Sequence, residues 1–147
     1  MADSSHENPS SLRIVVVTPE ATVRDEAADF VALPLYDGEI GIAPLHSPMI
    51  GRLGYGEMRI KHGQHEDRFY VDGGFAEVID NVVSVLTNRA IPANELDAES
   101  AAVQLTTAQA RPANTPELMA IRDRIVSQTR AQIRVARHDK GSGSHGH

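Results

Sequence analysis

His46 beside Ser47 would pair a base with a hydroxyl nucleophile, as acyl transfer requires. Adjacent residues on an extended path point apart, and Pro48 biases Ser47 toward extended backbone. Histidines at 6, 46, 62, 65, 138, 145 and 147 are the candidate metal ligands. None forms an i, i+4 pair on a helical stretch, His62 and His65 flank a turn glycine, and the last two lie in a Gly-Ser run, so no metal site is expected. Cysteine is absent, which excludes disulfides, thiolate metal sites and cysteine nucleophiles. A phosphate loop needs Lys after its last glycine and a helix beyond, but Gly51 is followed by Arg52 and a strand, and Gly56 by Glu57. "GYGEMR" supplies two of the three glycines of a dinucleotide fingerprint, in strand context. No catalytic residue and no cofactor is expected.

The stretch "DGEIGIAPLHSPMIGRLGYGE" (37–57) is better explained by its backbone than by catalysis. Gly38, Gly41, Gly51 and Gly54 permit tight bends, while Pro44 and Pro48 stiffen the path. Stiff loops on a β scaffold present contacts, and Glu39 and His46 are the polar groups offered to a partner.

The elements that position this loop are strands. "LRIVVV" (12–17) is β-branched and ends at Thr18-Pro19; "TVRDEAADFVALPL" (22–35) is patchier, with both faces partly apolar. "RLGYGEMRI" leads through "KHGQHE" to "DRFYV", then "FAEVI" meets Asp80-Asn81, a pair suited to a two-residue hairpin with positive φ at both positions, and "VVSVLT" follows. Short, regularly punctuated strands predict a β-sandwich or flattened barrel.

After Arg89 the period changes. Asn94, with Asp97 three residues on, is the expected cap of a first helix that must stop before Pro112. Thr115-Pro116-Glu117 starts a second, running to about His138. The short linker makes them an antiparallel αα-hairpin. The prediction is an α+β chain: a disordered N-terminal extension (1–11), an antiparallel β-sandwich (12–90), a helical hairpin (91–138) and a flexible tail (139–147). On the second helix, Leu118, Ile121, Ile125, Thr129, Ile133 and Ala136 share one face, at about 100° per residue. Arg122, Arg130, Arg134 and Arg137 form a separate stripe, and arginine suits bidentate recognition of carboxylates. The first helix has only Leu96, Val103, Leu105 and alanines to pack, so the hairpin is expected to open easily.

Charge follows the same division. Residues 1–90 hold 7 basic and 14 acidic side chains, whereas 117–140 hold 6 basic and 3 acidic. The net charge of −6 does not favour nucleic acid. The polar start "MADSSHENPSS" lacks the apolar segment of a secretory signal, and no stretch is long enough to span a bilayer. A soluble intracellular chain is expected, near a membrane only if a partner holds it there.

"DGEIGIAPLHSPMI" resembles the Gly-Glu-x-Gly-Ile-x-Pro-x-His-[Ala/Ser]-Pro segment of the epsilon subunits of bacterial F-type ATP synthase. "FYVDGGFAEVIDNVVSVLTNRAI" is similar to that family's Gly-Gly-x-x-Glu-Val-x-x-Asn-x-Val-x-Val-Leu strand pair, and the resemblance covers roughly 12–138. It implies a non-catalytic subunit of the rotating central stalk in a proton-translocating complex on the cytoplasmic face of the inner membrane. The sandwich would grip the gamma subunit and rest on the c-ring, with Glu39 and His46 facing the ring. The hairpin would extend into the catalytic alpha/beta hexamer, where Arg122, Arg130, Arg134 and Arg137 match the basic helix that meets the beta subunit and restrains hydrolysis. Some members bind ATP through [Ile/Leu]-Asp-x-x-Arg-Ala. Here Leu96, Asp97 and Ala101 fit, but Ser100 fills the arginine slot and Glu99 would repel a triphosphate. The competing expectation is a free-standing β-sandwich binding module that self-associates through its helices.

Overall fold

A computed structural model describes the backbone of residues 11–145 and the side chains of 11–139. The expected N-terminal extension, save Ser11, lies outside the described residues. Eight strands come first: β1 (Leu12–Val17), β2 (Thr22–Ala28), β3 (Phe30–Leu35), β4 (Gly38–Ile42), β5 (Met49–His62), β6 (His65–Ile79), β7 (Val82–Leu86) and β8 (Ala90–Pro92). A 3-10 turn over Ala93–Glu95 leads to α1 (Ala98–Ala110) and α2 (Pro116–His145).

The strands run in the order β2-β1-β7-β6-β5-β3-β4, with β8 added beside β6. Pairing is antiparallel except for β1 and β7, which run parallel. The long β5 and β6 serve both layers of the sandwich, and the core between them takes residues from all of β1 to β7. Leu12, Ile14 and Val16 point inward while Arg13, Val15 and Val17 alternate outward, as period two demands. Each such burial is worth about 1.5–3 kcal/mol against leaving the side chain in water. Val31, Ala32 and Leu33 are buried in succession, so β3 is covered on both faces.

The stretch 22–35 is two strands rather than one. It breaks at Asp29, whose backbone N–H bonds the Lys61 carbonyl at 2.7 Å. Its carboxylate accepts from the Gly63 N–H at 2.6 Å, across the β5–β6 turn. The turn between β6 and β7 has φ of 51° at Asp80 and 64° at Asn81, the paired left-handed geometry expected of a two-residue hairpin. Gly74 is required by closeness as well as by φ of 107°: a Cβ there would lie 1.9 Å from the Leu86 carbonyl oxygen.

The first helix does not start at Asn94. Leu96 is extended (ψ 141°), and Asp97 is the cap, its Oδ1 accepting from the Glu99 and Ser100 N–H groups at 3.0 and 3.2 Å. The expected cap of α2 is present, with Leu118 N–H donating to Thr115 Oγ1 at 3.1 Å. That helix does not end near His138 but continues to His145 through the Gly-Ser run expected as a flexible tail. Propagation adds one hydrogen bond per residue fixed, so an established 30-residue helix can carry poor formers at its end.

Candidate functional site

The segment around Glu39 and His46 is strand, loop and strand. Glu39 lies on the edge strand β4, opposite Pro34 of β3. Its exposed carboxylate accepts from Arg59 Nη2 at 3.4 Å. His46 sits in the following loop, its Nδ1 donating to the Ser47 backbone carbonyl at 2.8 Å, so it is not poised as a base toward the Ser47 hydroxyl. The loop is pinned from outside: Asn81 Oδ1 accepts from the Leu45 N–H at 2.6 Å, and Leu45 takes φ of 68°. A β-hairpin turn thus fixes the neighbour of His46, a contact that sequence reading missed because the two residues are 36 apart. Around this loop Leu45 and Ile50 are 75% and 74% exposed, an apolar rim beside two polar groups.

A second surface is an open cleft of about 930 Å³ lined by Tyr36, Arg52, Phe75, Leu86 and, from α2, Ser127. Tyr36, Phe75 and Leu86 are all exposed, and the Arg52 guanidinium lies 4.5 Å from the centre of the Tyr36 ring. Exposed aromatic and aliphatic groups gathered with an arginine are the composition of a protein contact.

The hairpin is docked over a buried carboxylate that the sequence reading did not single out. Asp72 Oδ1 accepts from the Tyr70 hydroxyl at 2.6 Å and from Gln128 Nε2 of α2 at 3.0 Å. Its Oδ2 accepts from Arg89 Nε at 3.1 Å. Its backbone is held too: the N–H by Thr87 Oγ1 at 3.0 Å, the carbonyl by Asn88 Nδ2 at 3.0 Å. Burial pushes the Tyr70 hydroxyl far above the ordinary phenol range, and the hydrogen bond and charge of Asp72 act the same way. Burial alone would lower Arg89, but the Asp72 bond and charge outweigh it and hold the guanidinium still more firmly protonated. The signal was a lone acid closing the apolar run "FYVD"; nothing in the helical pattern marked Gln128.

α2 therefore has two buried lines. Thr129, Ile133 and Ala136 are buried on the expected face, but Leu118 and Ile121 remain two-fifths exposed. Ala131 and Val135 form the second line, packed with Tyr70, Ala93 and the half-buried Tyr55, Ile91 and Leu96. On α1 only Ala101 and Ala108 are buried, and Val103 faces solvent. Of the ATP-motif positions, Leu96 packs under α2, Asp97 is used as a cap and Ala101 is interior. The arginine stripe divides: Arg122 is beside Asp123 at 3.6 Å, while Arg130, Arg134 and Arg137 are exposed and have no carboxylate partner among the described residues. Among those residues, no group of three acids or histidines is placed to hold a metal, and no helix is long and apolar enough to cross a membrane.

The family model described as the beta-sandwich domain of the ATP synthase delta/epsilon chain matches residues 11–93. The chain belongs to the ATP synthase delta/epsilon family. An ATP synthase epsilon chain of Rhodopirellula baltica is 51% identical over 127 residues, covering 86% of this chain and 99% of that one. The epsilon chain of Levilactobacillus brevis is 32% identical over 137 residues, 90% and 99% of the two chains. In fold, the chain is similar to one in a solved mitochondrial ATP synthase of Euglena gracilis, with TM-score 0.78, 22% identity, and 84% and 79% of the two chains covered. A central-stalk and c-ring structure from Tetrahymena thermophila gives TM-score 0.68 at 14% identity, over 85% and 96%. As an epsilon-type chain, the protein is a subunit of ATP synthase and is not catalytic by itself.

Proposed function

We propose that the chain is the central-stalk subunit that couples the gamma subunit to the c-ring of a proton-translocating F-type ATP synthase. The observation that carries this is the pinned, exposed loop at the end of a stiff sandwich, with Leu45 held by Asn81 and His46 beside it. A part that transmits torque must not yield at its contact, and cross-strand fixing of a loop supplies that stiffness. Glu39 and His46 are the polar groups that meet the ring, and Leu45 and Ile50 are the apolar ones. The cleft of Tyr36, Arg52, Phe75 and Leu86 is the grip for gamma. The complex holds the chain peripherally at the cytoplasmic face of the bacterial inner membrane.

The hairpin is the regulatory part. Its exposed Arg130, Arg134 and Arg137, with Arg122, suit an acidic segment of the catalytic beta subunit in the alpha/beta hexamer. Binding there restrains ATP hydrolysis. ATP is not proposed as a ligand of the hairpin, because Asp97 is committed to the helix cap and Ser100 brings no charge.

The test is proton pumping by membranes whose native subunit is replaced with Leu45→Glu or Glu39→Lys. Hydrolysis is expected to continue while pumping falls, with the variants still folded by circular dichroism. Full pumping in both variants would remove the ring contact from this end of the sandwich. A second reading, self-association through the helices, is favoured by the exposed Val103, Leu118, Met119 and Ile121. It predicts a dimer of the isolated chain in sedimentation, lost on Leu118→Lys.

A further inference from the structure

Outside the buried Asp72 cluster, and among the described residues, α2 touches the sandwich through one more polar contact. His138 Nδ1 lies 2.8 Å from Glu57 Oε2 on β5. Gln128 and His138 are ten residues apart, about 15 Å along a helix, and Ala131 and Val135 pack between them. The docked helix is thus clasped at two points over a small apolar contact. The clasps differ in kind. The Asp72 clasp contains a carboxylate, a guanidinium, an amide and a phenol, none of which ordinarily changes charge near neutral pH. The second contains an imidazole, which does.

We propose that protonation of His138 fastens the hairpin to the sandwich and that its deprotonation loosens it, making hairpin release sensitive to pH. This inference deepens the regulatory reading of the hairpin and rests on it only for its consequence in the assembled complex. Glu57 has other neighbours, but none so close: Arg59 Nε is at 3.7 Å and Arg68 Nε at 3.9 Å. Both of those nitrogens are buried without a hydrogen-bond partner, so His138 makes the short contact with this carboxylate. The charges facing His138 are nearly balanced. From β4 comes Glu39, from β5 Glu57 and Arg59, from β6 Glu66 and Arg68, and from its own helix Arg134. Against that background the imidazole proton decides whether Glu57 meets a cation or a neutral ring from α2. When α2 lifts, Glu57 keeps its two arginines and Asp72 keeps Tyr70 and Arg89, so neither carboxylate is left buried and unpaired. Release therefore strands no buried charge, and its cost lies in the small apolar contact and the Gln128 bond, to which the His138 contact adds a pH-dependent electrostatic term.

The experiment exploits the absence of cysteine. Ala131, fully buried against Tyr70, is changed to Cys in the full chain, and its labelling by a small thiol reagent is timed from about pH 5.5 to about pH 8. Dividing each rate by that of the urea-unfolded chain at the same pH gives the opening constant. A second chain with Val83→Cys, in the sandwich core, reports global unfolding. The expected result is an opening constant at position 131 that rises about two- to five-fold with pH, as for a partly exposed charge pair, without a matching rise at position 83. His138→Gln should abolish the rise, and His138→Lys should keep the hairpin closed at both extremes. A flat wild-type profile, or a rise that survives in His138→Gln, overturns the proposal. Hydrolysis by the assembled complex is measured separately. If the clasp titrates but hydrolysis does not follow it, the regulatory role of the hairpin fails while the clasp stands.

Discussion

Replacing Asp72 with Ala separates the packing of the hairpin from the chemistry beneath it. The substitution removes one carboxylate and strands three side-chain donors. The Tyr70 hydroxyl is fully buried and loses an acceptor at 2.6 Å, a loss of about 1–3 kcal/mol. Gln128 is half-buried and finds water in part, adding roughly 0.5–1.5 kcal/mol. Arg89 is 48% exposed and re-solvates, so its share is held to about 0–1 kcal/mol. The sum is roughly 1.5–5.5 kcal/mol, a range that spans the cost of breaking a buried pair by removing one partner. Urea unfolding followed by far-UV circular dichroism measures it. The two residues are coupled: adding Tyr70→Phe to Asp72→Ala should recover about 1 kcal/mol or more, because the stranded hydroxyl is gone. A loss below about 1 kcal/mol, or strict additivity of the two changes, would refute the assignment of Asp72 as the anchor.

Other outcomes follow from single contacts. Tyr70 stays protonated in the fold while an unfolded tyrosine ionises near pH 10, so stability should fall above about pH 10 by roughly 1.4 kcal/mol per pH unit; Tyr70→Phe should lessen that slope in urea titrations. The sign follows from proton count: above that pH the folded chain binds more protons than the unfolded one. Gly74→Ala should cost more than about 4 kcal/mol or prevent folding, seen as loss of expression in soluble form, since its Cβ has only the Leu86 carbonyl to occupy. Asn81→Gly keeps the left-handed turn but removes the bond to Leu45; amide exchange at Leu45 should quicken at least ten-fold while overall stability changes by about 1 kcal/mol or less.

What the sequence revealed and what it hid divide along physical lines. β1, β7 and the Asp80-Asn81 turn were legible because alternation and positive-φ residues are local signals. The cap at Thr115 was legible for the same reason. The break at Asp29 was not, because it depends on the carboxylate reaching Gly63 across the sheet. Asn94 reads as the cap with Asp97 three residues on, and only the extended Leu96 between them shifts the start of the helix to Asp97. The isoleucine face of α2 was found by period, whereas its second face rests on small residues, Ala131 among them, that carry little hydrophobic signal. Glu39 and His46 are legible as polar groups in a Gly- and Pro-shaped segment; that Glu39 is on an edge strand and that Asn81 steadies the loop are facts of the folded chain. Asp72 and Glu57 lay in view as acids on strands, but their partners on α2 are 56 and 81 residues away.

The claim that this chain turns with the ring is tested most directly by a photoreactive cross-linker carried on His46→Cys in the assembled complex. The account predicts an adduct with the c subunit and ATP synthesis that proceeds as before, since both linked parts rotate together. An adduct with a stationary subunit that halts synthesis, or no adduct with the ring at all, would contradict it.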